Sequence, residues 1–246
     1  MLGRIKQTIV SKRGKTLITE TETRRREIPK VEPTSANAKR WVKEFCGHVV
    51  SIKIATHTFK ILFEDKSTIK LMQRTAGRFF HDLNGILIGH ALLEYIKILE
   101  PAVSGISGQE NFSVDNLFET INWGPEAIDE LTEIRERLVA FGKYIKPARN
   151  KLLAHYDKKT VLAKSPVGAF PAGEELKFIN DLERLCDVMH KECFGQIFGQ
   201  IVVSGPGDVL DLKKTLRKAL TFDKLFSESK GPDKGQLFQL LQTIEK

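Results

Sequence analysis

The chain has 246 residues, 41% of them hydrophobic and 28% charged, a composition that places it among folded globular proteins with a sizeable core. No apolar run approaches the roughly 20 residues needed to span a bilayer, and Met1-Leu2-Gly3-Arg4-Ile5-Lys6 is too poor in apolar residues to be a secretion signal, so a cytoplasmic protein with no membrane contact is expected. The net charge of +8 sits almost wholly in residues 1–40, where eleven Lys/Arg face four acids; the remainder balances 28 against 27.

That basic N-terminal arm, residues 1–33, shows little helical periodicity. Two readings fit it: a small hairpin in which Ile9-Val10 and Leu17-Ile18 flank Ser11-Lys12-Arg13-Gly14-Lys15, or disorder. Its charge would draw polyanions such as RNA without sequence preference, or merely keep a tail solvated. From Ser35 onward the pattern turns helical. Trp41, Phe45, Val49, Ile52 and Thr56 recur at three- and four-residue steps. A second helix is predicted from about Ile69 to Leu99, its face made by Phe79, Leu83, Ile86, Leu87, His90, Leu93 and Ile96, and Glu100-Pro101 stops it. Residues 101–112 are rich in Gly and Ser and read as a loop. Ser113 is a good N-cap for a short helix through Phe118 and Ile121.

Asn122-Trp123-Gly124-Pro125 breaks the chain again, and Pro125 suits the first turn of the next helix. Ile128, Leu131, Ile134, Leu138 and Phe141 form the buried stripe of that helix, which leads through Tyr144 and Pro147 to Arg149. Residues 157–173 are polar or turn-forming. A long helix is predicted from Glu174 to Phe198, with Leu176, Ile179, Leu182, Leu185, Met189 and Phe194 inward. Ser204-Gly205-Pro206-Gly207-Asp208 reads as a hinge, with Asp208 capping a helix to about Phe226, and Gly231-Pro232 precedes a short helix over 234–245. The prediction is an all-α bundle over 34–200, carrying the arm at one end and a helical extension, 201–246, at the other. Cys46, Cys186 and Cys193 form no CxxC pair and read as packing residues of a reducing compartment.

The chemistry concentrates between Lys143 and Lys164. Here Lys143, Lys146, Arg149, Lys151, Lys158, Lys159 and Lys164 face one acid, Asp157. Arg149, Asn150 and His155 lie within this stretch. Histidine exchanges a proton near neutral pH, and arginine offers a charged planar fork to phosphate oxygens. Asn150 has a carboxamide to hold substrate or a neighbour, and Lys146, Lys151, Lys158 and Lys159 are candidate phosphate contacts. On RNA such a set serves attack by the ribose 2′-OH on the adjacent phosphate, leaving a 2′,3′-cyclic phosphate and sparing DNA. The bland alternative is an arginine and a histidine that only serve a helix end. Asp157 either orients His155 or starts the next loop by an Asx turn.

Helix geometry constrains the pair. Six positions apart, Arg149 and His155 differ by roughly 120° and about 9 Å of rise, so one straight helix separates them. Either the chain bends near Ala154 or a second copy completes the site across a two-fold axis. Elsewhere, His48, His57, His81, His90 and His190 show no metal-ligand spacing; His81-Asp82 and His90…Glu94 offer two ligands each, too few for a metal, so no metal or other cofactor is expected. Gly205 and Gly207 lack the Lys-Ser/Thr of a phosphate loop.

Arg149-Asn150-x-x-x-x-His155 resembles the arginine–polar–four-residue–histidine motif of the HEPN superfamily of helical domains. The longer string Arg149-Asn150-Lys151-Leu152-Leu153-Ala154-His155-Tyr156-Asp157 is similar to the abortive-infection, AbiU-type HEPN-like branch. So are residues 79–121, with Leu99-Glu100-Pro101, the Gly/Ser loop and Phe112-Ser113-Val114-Asp115-Asn116-Leu117. The resemblance, over about residues 40–200, implies a helical bundle that dimerises through the motif-bearing helix. It also implies a metal-independent ribonuclease acting as a toxin or in antiphage defence, with Arg149 and His155 catalytic and Asn150 supporting. Many such domains act beside a nucleotidyltransferase-type antitoxin, a candidate partner alongside RNA itself. Others have lost activity and only bind RNA, nucleotides or a regulatory protein, which is the alternative function here.

Overall fold

The computed structural model describes residues 6–10, 16–20, 29–104, 109–148, 170–230, 233–237 and 239. Its body is built on helices α1 (Ala36–Phe63), α2 (Lys66–Ile98), α3 (Val114–Thr120), α4 (Pro125–Ala148), α5 (Glu174–Phe194) and α6 (Val209–Glu228). Several begin where a short polar side chain takes over an orphan backbone N–H. Ser35 accepts from Ala38 N at 3.2 Å, Ser113 from Asn116 N at 3.3 Å, and Asp208 from Leu210 N at 2.8 Å and Asp211 N at 3.2 Å. At the far end of α5, Gly195 takes the left-handed conformation (φ 75°) and donates to the Lys191 carbonyl at 2.8 Å. The helix therefore stops at Phe194, four residues short of the predicted Phe198.

Strands are few. In the arm, β1 (Lys6–Val10) pairs antiparallel with β2 (Thr16–Glu20), placing Lys6 opposite Glu20 and Val10 opposite Thr16. The Gly/Ser stretch carries a two-residue ribbon, β3 (Val103–Ser104) with β4 (Gln109–Glu110), where only a loop was expected. Val31 donates to the Thr120 carbonyl at 2.9 Å and accepts from Asn122 N at 2.9 Å, fastening the chain that follows the arm to the end of α3.

The main core lies among α1, α3, α4, α5 and the last turns of α2. Phe45, Val49, Ile52, Leu117, Leu131, Ile134, Leu138, Phe141, Phe178, Leu182 and Leu185 are buried in it. Successive pairs set the sense of α5. Glu130–Arg184 and Arg137–Asp181 run antiparallel against α4, and Lys53–Glu183 and Lys60–Glu175 do the same against α1. The Glu130–Arg184 and Arg137–Asp181 pairs are open to solvent and contribute at most about 1 kcal/mol each, and those to α1 are half-buried, so burial of the apolar stripe supplies the stability and the charges fix the register. Cys46, Cys186 and Cys193 are all buried; contact with Cys46 raises the Cys186 thiol, and burial pushes Cys193 up to about 12.

Two predicted faces need correction. On α2, Leu83, Leu87 and Ile96 turn inward as expected and are joined by Leu71, Met72, Phe80, Tyr95 and Ile98, whereas Phe79, Ile86 and Leu93 stand in solvent. A break at Ala76 (φ −141°, ψ 59°) splits the helix into two arms, and in the second arm the stripe through Phe80, Leu87 and Ile98, next to the one through Phe79, Ile86 and Leu93, meets the core. On α5, Leu176 and Phe194 are likewise exposed, and Phe178 takes an inward place beside Ile179, Leu182, Leu185 and Met189.

A second, smaller cluster of Leu62, Met72, Phe80 and Val209, with Leu83, Leu87 and Leu216, joins α6 to the α1–α2 hairpin. Because Val209 alone of α6 is buried, the helix leans on charge as well. Lys213 pairs with Asp65, the N-cap of α2, and with Thr68 and Ser67 holds that carboxyl well below its ordinary 3.8. Asp208 is lowered chiefly by the Gly205 N–H, and Asp211 by Lys214. A carboxylate with a depressed folded pKa stabilises fully above its unfolded value and loses that contribution as pH falls through the folded one. Acidification from pH 5 to pH 2 is therefore expected to loosen α6 first. Amide exchange of α6 against α4 would check it, and equal protection of both helices at pH 2 would contradict it.

Candidate active site

Helix α4 carries the chain to the motif. Its buried stripe, Leu131, Ile134, Leu138, Phe141 and Ile145, recurs at three- and four-residue steps and faces α5 and the end of α2. The opposite side of its last turns exposes Lys143, Tyr144, Lys146 and Pro147. Pro147 has no N–H to return to the Lys143 carbonyl, which weakens the helix there. Lys143 and Lys146 lie at the negative end of the helix dipole, so they serve the helix whatever else they bind.

Of the expected site residues, Lys146 alone is placed. Arg149, Asn150, Lys151, His155, Lys158 and Lys159 lie outside the described residues, as does Asp157. What the structure defines is the frame on which they are mounted. Arg149 follows Ala148, the last residue of α4, by one peptide bond. At the other end, the chain re-enters at Phe170, whose ring lies 5.3 Å from that of Phe141. Phe141 stacks on Phe178 at 4.3 Å and 18°, and Tyr95 meets both rings edge-on at 6.1 and 5.0 Å. Phe170, where the described chain resumes, thus packs on an aromatic cluster two turns before the end of α4 and beside the start of α5.

Beneath that cluster runs a polar chain that no sequence spacing announced. Tyr95 donates its hydroxyl proton to Glu175 Oε1 at 2.8 Å, so the 2.6 Å contact with Thr56 Oγ1 is one in which the threonine donates. Lys60 lies 3.2 Å from Glu175 Oε2. Burial first, and then the Glu175 carboxylate, keeps the Tyr95 phenol protonated far above its ordinary range, while the Thr56 bond opposes them. The chain links α1, α2 and α5. Tyr95→Phe strands the Thr56 hydroxyl and one carboxylate oxygen, and is expected to lower unfolding free energy by about 1–3 kcal/mol. Urea denaturation reads this directly; an unmoved midpoint would show that water replaces the hydroxyl at no cost.

A second cluster centres on Glu94, which binds His48 Nε2 at 2.7 Å and Lys97 Nζ at 2.6 Å, with His90 Nδ1 at 3.9 Å. Burial alone would raise this carboxyl, but the bonds from Lys97 and His48 outweigh it and hold it below its ordinary value. Glu94 is thus occupied by a partner on α1 rather than paired with His90 alone. Among the described residues no group of three or more His, Cys, Asp or Glu is arranged to hold a metal, and no helix is long and apolar enough to cross a membrane.

Comparison with known families gives a match over residues 35–211 to the HEPN family described as AbiU2. The match runs from the cap of α1 into the first turn of α6, and contains the Arg149–His155 segment. No significant match is found among curated proteins or among solved structures.

Proposed function

The chain belongs to the AbiU2 family of HEPN-like abortive-infection proteins, and from that membership we propose that it is a metal-independent endoribonuclease acting in the cytoplasm as a toxin or antiphage effector. One observation carries the reading: an intact Arg149-Asn150-x-x-x-x-His155 motif falls inside the family match, in the most basic stretch of an otherwise near-neutral body. In this mechanism the ribose 2′-OH attacks the adjacent phosphorus, the P–O5′ bond breaks to leave a 2′,3′-cyclic phosphate and a 5′-hydroxyl end, and His155 either takes the 2′-OH proton or supplies one to the departing 5′ oxygen. Arg149 faces the charge that accumulates on the phosphoryl oxygens, and Asn150 keeps its neighbours or the substrate in place. Lys146, Lys151, Lys158 and Lys159 draw the phosphate backbone in. Either a bend near Ala154 or a homodimer with a second copy of the motif would bring Arg149 and His155 together, and a nucleotidyltransferase-type antitoxin is a candidate restraint.

The test is chemical. Purified protein incubated with RNA in excess EDTA is expected to cut at an undiminished rate and leave 2′,3′-cyclic phosphate ends. Loss of activity in chelator would overturn the metal-independent mechanism. Salt-sensitive RNA binding with no new ends would instead mark a binding module of the same family.

A further inference from the structure

A pocket of about 230 Å³ lies against α2 where the helix breaks at Ala76. Its walls are apolar: Phe63, the last residue of α1, with Ile69, Met72 and Phe80 of α2. Met72 and Phe80 are buried, and the Phe63 ring rests against that of Phe59 at 5.4 Å, so the walls are packed from behind. Gly77 lines the pocket on the second arm. No atom comes within 4 Å of where a Cβ would stand there, so a flat group can lie directly on the helix backbone. One polar atom is left over. Oδ1 of Asn84, which lines the same pocket, is buried and has no hydrogen-bond partner. Folded proteins pair nearly all such atoms, because a buried acceptor without a donor is destabilising.

The lining sets the chemistry of an occupant. It contains no Lys, Arg, Asp or Glu; the two remaining residues, Gln73 and His81, stand exposed at the mouth. A charged molecule would lose its water among the apolar walls and meet no counter-charge, which rules out a phosphorylated one. An apolar cavity of about 150 Å³ holds a benzene ring, so this pocket has room for a bicyclic one. Gly77 favours a flat body, the Met72 sulfur suits a ring edge, and Asn84 Oδ1 calls for one donor. We infer that the pocket at the break in α2 binds a small, uncharged aromatic molecule that carries a single N–H donor. Asn84 lies roughly 16 Å along the helix from Tyr95, where α2 packs on α4, so this site is separate from the motif and is tested without RNA.

Indole is the probe, and benzofuran, the same shape with an oxygen in place of the N–H, is its control. Titration of the full chain followed by ligand NMR is expected to give a Kd of about 10⁻⁴ M for indole, the range for a well-seated ligand of this size. Benzofuran should bind about tenfold more weakly, since its oxygen faces Asn84 Oδ1 without a proton between them. Gly77→Leu fills the space above the backbone and should weaken indole at least tenfold. Leucine favours a helix over glycine, so that variant keeps its fold, and a melting curve checks this. Asn84→Leu keeps the volume and removes the acceptor, and indole and benzofuran should then bind alike. The inference is overturned by a wild type that takes up neither ring at millimolar concentration, or by indole affinity that survives Gly77→Leu, which would place the ring elsewhere. It is overturned equally by a wild type that does not prefer indole, or by a preference that persists in Asn84→Leu.

Discussion

His155→Ala is expected to lower RNA cleavage by about 10²–10⁴, the usual loss when a positioned proton-transfer group is removed, with fold and RNA affinity little changed. The separation of cleavage from binding is the informative part. Histidine carries no obligatory charge at neutral pH, so losing it removes little of the phosphate attraction supplied by Lys146, Lys151, Lys158 and Lys159. Arg149→Lys should fall nearly as far as Arg149→Ala, because an ammonium keeps the charge but loses the planar fork. Gel-based cleavage of a labelled RNA, paired with a filter-binding titration, reads both quantities. Full activity in His155→Ala would remove the histidine from the mechanism, and a parallel loss of binding would make its role structural.

Phe141→Ala is expected to cost about 3–5 kcal/mol, the range for deleting a buried aromatic ring. Phe141 is 3% exposed and touches Phe170, Phe178, Tyr95 and Tyr144, so its loss opens a cavity at the point where α2, α4 and α5 meet. For a chain of this size each kcal/mol moves the melting temperature by roughly 2–4 °C, which predicts a fall of at least about 6 °C in a thermal scan. Phe141→Leu keeps most of the volume and should recover much of it. A shift below about 2 °C for the alanine variant would mean that the ring is not a keystone of the frame around residues 149–169.

The helices with one well-defined apolar stripe were legible from the sequence. In α4, Leu131, Ile134, Leu138 and Phe141 repeat at helical spacing, and all four are buried. The caps at Ser113 and Asp208 were legible because a short oxygen-bearing side chain before a periodic run satisfies backbone N–H groups by purely local chemistry. Helix α2 was misread for an equally physical reason. Its apolar residues fill two neighbouring stripes, 79/86/93 and 80/87/98, and periodicity alone does not say which one meets the core. The break at Ala76, at a residue that ordinarily favours helix, gave no warning. The bond from Tyr95 to Glu175 joins residues 80 positions apart, and only the tertiary fold brings them together. The motif is readable in the sequence as a string of residue types suited to phosphodiester chemistry. Its frame was not, because that depends on Phe170 returning to Phe141 and on α5 running antiparallel to α4.

The central claim, that the chain cuts RNA through the ribose 2′-OH, is tested most directly by one substrate pair. Purified protein is given an RNA carrying its mapped cleavage site, and the same strand with a single 2′-deoxy nucleotide 5′ to the scissile phosphate. Cleavage of the first, none of the second at that phosphate, and equal affinity for both is the predicted result. Equal cleavage of the two strands would contradict it.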